Sequence, residues 1–247
     1  MNTTDMPTIS YKTYRISKGN GKFRIITAPN LELKSLQKKI MNDLEQFQIH
    51  DSAHGFIKGK SIATNALPHV KKKFVLNIDL NDFFPSIKTN MVKSLFKQIG
   101  YDESMTDYVV YMGGLPQGSP CSPVISNLYC IQLDEELKEL ADRFNYSYTR
   151  YADDLTFSGQ EYSSGFIKKV YAIVKSHNLI VNYSKTKIKW RNQRQSVTGI
   201  VVNEKLNIPV ELRKKVRAMN HQFDKLDKTS RYYLSGMKGF KTVLDIK

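Results

Sequence analysis

Apolar and polar positions follow two different periods in the middle of this chain, and the two periods alternate in a fixed order. Residues 74–79 form a continuous apolar run, which is typical of a strand in the centre of a sheet. Helical spacing follows over 123–143, and an aromatic, β-branched hairpin over 145–158. Residues 164–177 return to helical spacing, and 179–183 predict another strand. This β-α-β-β-α-β order predicts a split βαβ arrangement.

Further elements flank this central unit. Residues 22–27 alternate basic and apolar side chains and predict a strand, and apolar positions from 33 to 47 predict an amphipathic helix. A basic turn is expected at 184–187, and a further strand at 196–202. Pro209 opens a last amphipathic helix with a basic outer face.

Composition and charge narrow the class of partner. The 247 residues are 40% hydrophobic and 25% charged, which is ordinary for a globular protein. Lys and Arg number 38 against 23 Asp and Glu, and this excess favours nucleic acid as a partner. No apolar run approaches the roughly 20 residues that span a bilayer, and the first residues do not form a signal peptide. We therefore expect a cytoplasmic protein, with reduced cysteines and no membrane partner.

Three carboxylates are the candidate chemical groups. Asp153 and Asp154 stand at the tip of the hairpin, where tandem acids are usually no more than a solvated turn. Asp79 ends the buried strand, where a carboxylate is costly unless it is paired or binds a cation. If the first and third strands of the unit are neighbours, Asp79 lies beside the tip. Acids placed in this way would bind two Mg²⁺ ions, which can activate a 3′-hydroxyl and stabilise leaving pyrophosphate.

Two loops and one strand carry weaker signals. Residues 113–123 are too rich in glycine and proline for regular structure and open a helix, so they either hold a phosphate or nucleotide or form a plain connection. Gly55 and Gly59 indicate a tight loop whose backbone can approach a ligand. Lys22 and Arg24 form either a phosphate clamp or a solvated strand face.

Three motifs in this order resemble the palm motifs of reverse transcriptases. They are Phe-Val-Leu-Asn-Ile-Asp-Leu-Asn-Asp-Phe-Phe-Pro-Ser-Ile at 74–87, Gly-Leu-Pro-Gln-Gly-Ser-Pro-Cys-Ser-Pro at 114–123 and Tyr-Ala-Asp-Asp at 151–154. The resemblance covers roughly residues 22–220 and implies an α+β, right-hand polymerase fold with fingers, a ferredoxin-like (RRM-like) palm and a short helical thumb. The implied domains are fingers at 1–72 with a contribution from 88–115, a palm at 73–204 and a thumb at 205–247.

The resemblance also assigns catalytic roles. Asp79, Asp153 and Asp154 match the metal-binding acids, which hold two Mg²⁺ ions, with Mn²⁺ as an alternative. Asp79 and Asp153 are expected to be the main ligands, and Asp154 to orient the site. Lys185 matches a lysine that acts as a general acid for pyrophosphate, with Lys187 as the alternative.

The same resemblance assigns a site for dNTPs. Lys22 and Arg24 match the fingers groups that clamp the triphosphate. Phe84 matches the bulky residue that excludes a ribose 2′-hydroxyl; its local rival is Phe83, and the alternative is an ordinary core aromatic. The pair Gln117-Gly118 matches the loop beside the incoming base and the template.

Among reverse transcriptases the chain is most similar to the bacterial retron enzymes. It has their Asn-Ala-x-x-His signature at 65–69 and their Val-Thr-Gly triplet at 197–199. The resemblance implies RNA binding by residues of both motifs and of the thumb helix: Asn65, His69, Val197, Thr198, Gly199, Arg213, Lys214 and Arg217. It also implies, as partners, a cognate noncoding RNA, its branched RNA-linked DNA product, dNTPs and an effector protein in antiphage defence.

Two other interpretations stay open. The first is another bacterial reverse transcriptase, either of the abortive-infection type or derived from a group II intron. The second is a basic RNA-binding scaffold whose acids are structural. The stretch after Val202 is short for a thumb, so either the thumb is minimal or RNA or a partner completes it.

Overall fold

The computed structural model describes residues 8–19, 21–223, 227, 229–232 and 235. In the described residues the strands are β1 (Tyr11–Gly19), β2 (Lys22–Pro29), β3 (Phe74–Leu80), β4 (Ser147–Tyr151), β5 (Asp154–Gly159), β6 (Val181–Trp190), β7 (Ser196–Val197) and β8 (Ile200–Val201). The helices are α1 (Leu31–Leu44), α2 (Ile62–Ala66), α3 (Phe83–Ser86), α4 (Thr89–Gln98), α5 (Thr106–Val109), α6 (Ser122–Tyr129), α7 (Ile131–Arg143), α8 (Ser164–Ser176) and α9 (Val210–His221).

An antiparallel sheet with the strand order β4-β5-β3-β6 is the centre of the fold. The first and third strands of the predicted unit, β3 and β5, are neighbours, so the split βαβ prediction is confirmed. The apolar run of β3 is buried as expected, because Phe74, Leu76 and Ile78 have no exposed surface. Apolar side chains of α7 and α8 belong to the same core and pack on one face of this sheet.

A second, smaller core lies on the other face of β3. It joins Val75 to α2 and to the β7–β8 hairpin through Ala66, Val197 and Ile200, all of which are fully buried. This core covers the end of β3 where the strand begins. The opposite end, where Asp79 lies, borders an open cavity instead.

The hairpin of β1 and β2 is only partly predicted by the sequence. The strand at 22–27 is confirmed within β2, whereas β1 was not expected. The hairpin contacts the rest of the chain through the amide of Thr27, which donates to the carbonyl of Gln117 at 2.7 Å. Gln37 of α1 also donates to the hydroxyl of Tyr11 at 2.8 Å.

The single helix predicted over 123–143 is wrong, because the chain forms two helices, α6 and α7. Cys130 separates them with φ −83° and ψ 4°. The break is invisible in the apolar pattern because Leu128 and Leu133, on either side of it, are both buried.

The basic turn predicted at 184–187 is also wrong, because these residues belong to the continuous strand β6. Strand β6 contains a β-bulge at these residues. From Asn182 to Lys187 β6 advances five residues, while its partner β3 advances only two, from Asp79 to Asn77. A bulge of this kind re-aims side chains on the bulged strand.

The single strand predicted at 196–202 is likewise wrong. The segment forms a hairpin in which Val197 pairs with Ile200. Thr198 and Gly199 make the turn with φ 45° and φ 85°, and positive φ at both positions is what a tight two-residue hairpin requires. The predicted last helix is confirmed: Pro209 precedes α9, which ends at His221.

Candidate active site

Strand register places the candidate acids together. Asp79 pairs directly with Asp154 across β3 and β5. The amide of Leu80 donates to the carbonyl of Asp153 at 2.9 Å, which ties the end of β3 to the hairpin tip. The expected meeting of Asp79 with the 153–154 turn is therefore present.

The hairpin tip has an unfavourable backbone conformation. Tyr151 pairs with Asp154, so Ala152 and Asp153 form a two-residue loop. Ala152 has φ 54°, in the left-handed region that residues other than glycine seldom occupy. Such strain persists only where surrounding contacts impose it.

A fully buried arginine supplies one of these contacts. Arg150 donates to the carbonyl of Ala152 at 3.3 Å from Nη1, and to Oδ2 of Asp134 at 2.6 Å from Nη2. Its Nη1 also donates to Oδ1 of Asn127 at 3.0 Å, and the hydroxyl of Tyr148 donates to Asp134 at 2.7 Å. Burial disfavours the charged guanidinium, but the adjacent Asp134 outweighs that effect and raises the pKa of Arg150. The guanidinium is therefore a permanent support beneath the tip.

The loop marked by Gly55 supplies another contact. Residues 52–54 lie beside β4, where the amide of Arg150 donates to the carbonyl of Ser52 and the amide of His54 donates to that of Arg150. A Cβ at Gly55 would lie 2.6 Å from the amide nitrogen of Ala152, so only glycine allows this approach. The backbone thus approaches the hairpin tip, whereas the sequence suggested a ligand.

The three acids produce an excess of negative charge. Burial raises the pKa of Asp153, and repulsion from Asp79 adds to this shift, while Lys185 and Arg24 oppose it. Burial also raises the pKa of Asp154, and repulsion from Asp153 and then Asp79 brings it to about 6. Neighbouring carboxylates disfavour one another's ionised form, so the site favours a bound cation.

Lys185 is the cation that the chain itself provides. Its Nζ lies 2.8 Å from Oδ1 and 3.1 Å from Oδ2 of Asp79, and this hydrogen bonding raises the pKa of the lysine. The bulge in β6 delivers this side chain to Asp79. Lys187, the alternative, is exposed and does not line the cavity. Geometry therefore favours Lys185.

A cavity of about 390 Å³ brings most of the predicted nucleotide site together with the acids. Its lining includes seven side chains from the sequence prediction: Arg24, Phe84, Gln117, Asp79, Asp153, Asp154 and Lys185. Phe83 and Phe84 both border the cavity, but Phe84 is half-buried, whereas its rival Phe83 is 4% exposed and packs in the core. The geometry favours Phe84 over Phe83 as the residue that would exclude a ribose 2′-hydroxyl, and the three acids line the same cavity.

The sequence also predicts Gly118 and Lys22 for this site; the Lys22 side chain lies outside the described part of the structure. Gly118 has φ 133°, and a Cβ there would lie 2.8 Å from the carbonyl oxygen of Thr27, so glycine is needed where the loop meets β2. Lys22 begins β2, two residues before Arg24.

The donor set fits a hard divalent cation. Carboxylate oxygens are the ligands that Mg²⁺ prefers. Burial, and then repulsion from neighbouring carboxylates, raises the pKa of Asp153 and Asp154, and a bound cation would oppose both effects by favouring the ionised form. Within the described ranges, no three His, Cys, Asp or Glu side chains are gathered into a metal-binding cluster. In this structure Lys185 is hydrogen-bonded to both oxygens of Asp79. Metal binding at all three acids therefore requires Asp79 to exchange this partner.

The two retron-like motifs contact each other. Nδ2 of Asn65 lies 3.4 Å from the hydroxyl of Thr198. Both ring nitrogens of His69 are hydrogen-bonded, to Ser158 at 2.7 Å and to Thr149 at 2.8 Å, and burial lowers the pKa of His69 to about 3. The ring is thus a neutral link from the turn that follows α2 to β4 and β5.

Burial changes how these motifs can act on RNA. Asn65, His69 and Val197 have no exposed surface, so their side chains offer no direct contact to RNA in this structure. Thr198 is half-buried and Gly199 is exposed at the hairpin turn. In this structure Asn65 contacts the turn at Thr198, whereas His69 contacts β4 and β5.

The basic face of α9 is accessible. Lys214 and Arg217 are exposed, and Arg213 is half-buried beside a cavity of about 310 Å³ that Arg191 and Arg194 also line. Screening the described helices for a long apolar segment reveals none that could cross a bilayer.

Sequence reasoning missed the supports of the hairpin tip. Arg150 was read only as part of a strand, although Asp134 gave a signal: a carboxylate on the otherwise apolar face formed by Leu137 and Ala141. Such an acid needs a buried cationic partner. Gly55 was noticed, but its contact with Ala152 is visible only in three dimensions.

Comparison with known proteins agrees with this arrangement. The family model described as "Reverse transcriptase (RNA-dependent DNA polymerase)" matches residues 16–224. Retron Ec86 reverse transcriptase of Escherichia coli is 38% identical over 85% of this chain and 69% of that protein. Retron Mx65 reverse transcriptase of Myxococcus xanthus is 35% identical over 95% of this chain, and retron Mx162 reverse transcriptase of the same organism is 36% identical over 78%. This chain spans 61% of the Mx65 protein and 47% of the Mx162 protein.

Solved structures agree on the fold. Apo telomerase from Candida tropicalis, truncated from its C-terminal domain, superposes with a TM-score of 0.56 at 14% identity, over 81% of this chain and 55% of that one. A foamy viral protease-reverse transcriptase superposes with a TM-score of 0.52 at 17% identity, over 84% of this chain and 32% of that one. These neighbours support the α+β polymerase fold. The matched family model and the curated relatives together show that the chain belongs to the reverse transcriptase family and, within it, to the retron reverse transcriptases.

Proposed function

We propose that the chain is an RNA-directed DNA polymerase that copies a cognate structured noncoding RNA into single-stranded DNA. The observation that carries the proposal is the pairing of Asp79 with Asp154 beside Asp153, in one cavity with Arg24 and Phe84. This lining suits a deoxynucleoside triphosphate. The acids suit the metal ions that accompany its phosphates, Arg24 suits the phosphates themselves, and Phe84 suits the sugar.

In the proposed reaction the chain positions both reactants. Asp79, Asp153 and Asp154 hold two Mg²⁺ ions, or Mn²⁺ in their place, which when bound activate the primer hydroxyl and neutralise the triphosphate. The hydroxyl loses its proton to solvent, its oxygen forms a bond to the α-phosphorus, and the bond from this phosphorus to pyrophosphate breaks. Arg24 contacts the triphosphate, and Lys185 donates a proton to the departing pyrophosphate.

Lys185 has two successive roles in this proposal. Before substrate binds, it neutralises Asp79 through both carboxylate oxygens. Asp79 is one of the residues that would hold a metal ion, and the ammonium would then be free to face the phosphate groups. The hydrogen bonds to Asp79 raise the pKa of Lys185 in this structure, so the side chain is protonated at neutral pH before substrate binds, as a general acid requires.

The noncoding RNA and the branched product are the finer part of the proposal. Support comes from the similarity to retron reverse transcriptases and from the basic surface of Lys214 and Arg217 on α9. We propose that the exposed turn at Thr198 and Gly199, held from behind by Asn65, contacts the RNA together with α9. We also propose that synthesis starts from the 2′-hydroxyl of an internal guanosine and that the ribonucleoprotein acts with an effector protein in antiphage defence.

The test is to purify the protein from its native locus and analyse the bound nucleic acid with and without RNase and debranching enzyme. A DNA of defined length joined to RNA through a branch is expected. RNA without DNA, together with dNTP incorporation on generic primed templates, would indicate another lineage of reverse transcriptases. If Asp153→Asn incorporates labelled dNTP as well as the unaltered protein in Mg²⁺, the assignment of the active site is wrong.

A further inference from the structure

We propose that Phe56 contacts the deoxyribose of the incoming nucleotide and, together with Phe84, sets selectivity for the sugar. This assignment rests on the polymerase function proposed above. The ring centroid of Phe56 lies 6.2 Å from that of Phe84 and 6.5 Å from that of Tyr151. Phe56 lines the same cavity as the three acids, and it keeps 55% of its surface exposed. A large aromatic ring is thus presented to the substrate space.

The backbone at Phe56 is held in an unfavourable conformation. Its φ is 62°, a value that a bulky residue rarely adopts. The residue before it is fixed, because Gly55 packs on Ala152 and its carbonyl accepts a hydrogen bond from Asn127 at 2.9 Å. Strain maintained by neighbours at a cleft indicates a functional constraint, and here the constraint points the ring into the cavity.

Core packing does not explain this ring. More than half of Phe56 is open to solvent in the described structure, so its ring contributes little to the packed core. Its surface becomes buried when a ligand fills the cavity. The free energy of that burial then favours ligand binding, and it adds little to the stability of the unliganded fold.

The chemistry of the cavity indicates which part of a nucleotide meets the ring. Asp153, Asp154 and Lys185 form the charged side of the cavity, which suits the metal ions and phosphates. Phe56 and Phe84 form an apolar side. A deoxyribose places its 2′-CH₂ group against the two rings at no cost in free energy. A ribose would place its 2′-hydroxyl there without a hydrogen-bond partner.

The test uses single-nucleotide incorporation on a generic primed RNA template, with dNTP and rNTP compared. Phe56→Gly removes the ring and replaces it with the residue that best tolerates positive φ, so the variant is expected to fold with unchanged or higher stability. We expect the KM for dNTP to rise about tenfold and discrimination against rNTP to fall about tenfold. The value of kcat at saturating dNTP should change less. Phe56→Tyr retains the ring and should retain both properties.

Met112 offers a matched control, because it too has a positive φ (50°) and is 90% exposed, yet it lies outside the cavity. Met112→Gly should leave KM and discrimination unchanged. Phe56→Gly and Phe84→Ala should be non-additive in sugar discrimination, because neighbouring rings that form one wall share their effect. A Phe56→Gly protein with unaltered KM and discrimination overturns the proposal, as does one that only melts earlier and loses kcat. If the unaltered protein incorporates no dNTP, the polymerase proposal itself fails and this assignment falls with it.

Discussion

Replacing Asp154 with asparagine should stabilise the metal-free protein at alkaline pH, because it removes one charge from a crowded acidic site. Burial and the neighbouring Asp153 and Asp79 raise the pKa of Asp154 from an ordinary 3.8 to about 6. The folded state therefore binds this proton more tightly than the unfolded state. The resulting stability is fully present below the unfolded pKa and is lost as pH rises through the folded pKa.

The size of this loss of stability follows from the difference between the folded and unfolded pKa of Asp154. A shift of about two units corresponds to about 3 kcal/mol over the whole titration, of which about 2 kcal/mol is lost between about pH 4.5 and pH 8. The carboxyl is only half-buried, so solvent screening reduces the expected loss to about 1–2 kcal/mol. For a chain of this size the loss corresponds to about 2–8 °C in Tm.

The assay is thermal unfolding in EDTA across this pH range, with wild type and Asp154→Asn compared. The two proteins should melt at similar temperatures near pH 4.5, and Asp154→Asn should melt higher at pH 8. Glu135→Gln, an exposed acid on α7, is the matched control and should show no such divergence. Adding Mg²⁺ at pH 8 should raise the Tm of wild type more than that of Asp154→Asn, since ligands that bind only the folded state stabilise it. A Tm difference that stays constant with pH would refute the electrostatic reasoning.

Four further substitutions test other parts of the site. Phe84→Ala should relax discrimination against ribonucleotides, and unchanged selectivity in single-nucleotide incorporation would defeat the gate assignment. Arg24→Ala should raise the KM for dNTP or lower kcat by about tenfold or more, because a charged contact to phosphate is lost. If steady-state kinetics show the same KM and kcat as the unaltered protein, Arg24 does not contact the triphosphate. Arg150→Leu should cost about 3–5 kcal/mol in chemical denaturation, because it leaves Asp134 buried and unpaired; a loss under about 1 kcal/mol would contradict this. Gly55→Ala should lower kcat by about tenfold or more by displacing Ala152, whereas Gly165→Ala, where a Cβ meets nothing within 4 Å, should leave kcat unchanged.

The order in which strand-like and helix-like hydrophobic patterns alternate along the sequence was sufficient to predict the central sheet. A fully apolar strand followed by helix, hairpin, helix and strand has few ways to close, and one of them makes β3 and β5 neighbours. That adjacency brings Asp79 to Asp154 without knowledge of any side-chain contact. The proximity of Asp79 to the hairpin tip could therefore be predicted from the order of the elements, whereas the role of the acids came from the motifs.

What could not be predicted depends on contacts between distant segments. The bulge of β6 exists because β3 continues to pair on both sides of it, so the polar run that resembles a turn is a strand. Arg150 looks like an exposed strand residue because arginine is seldom fully buried without a partner, and its partner Asp134 belongs to a different element. Local propensity carries no information about either feature.

The supports of the hairpin tip explain why three carboxylates can remain close together before any cation arrives. Their mutual repulsion favours separation, and the positive φ of Ala152 adds strain at the tip. Opposing this, the amide of Leu80 and the guanidinium of Arg150 bind the carbonyls of Asp153 and Ala152. Both contacts are made by the backbone of the tip, so they leave the carboxylate oxygens of Asp153 and Asp154 available. The fold thus fixes the hairpin tip through its backbone carbonyls and leaves the carboxylate oxygens of Asp153 and Asp154 available for a cation. A site held in this way is preorganised for its ligand.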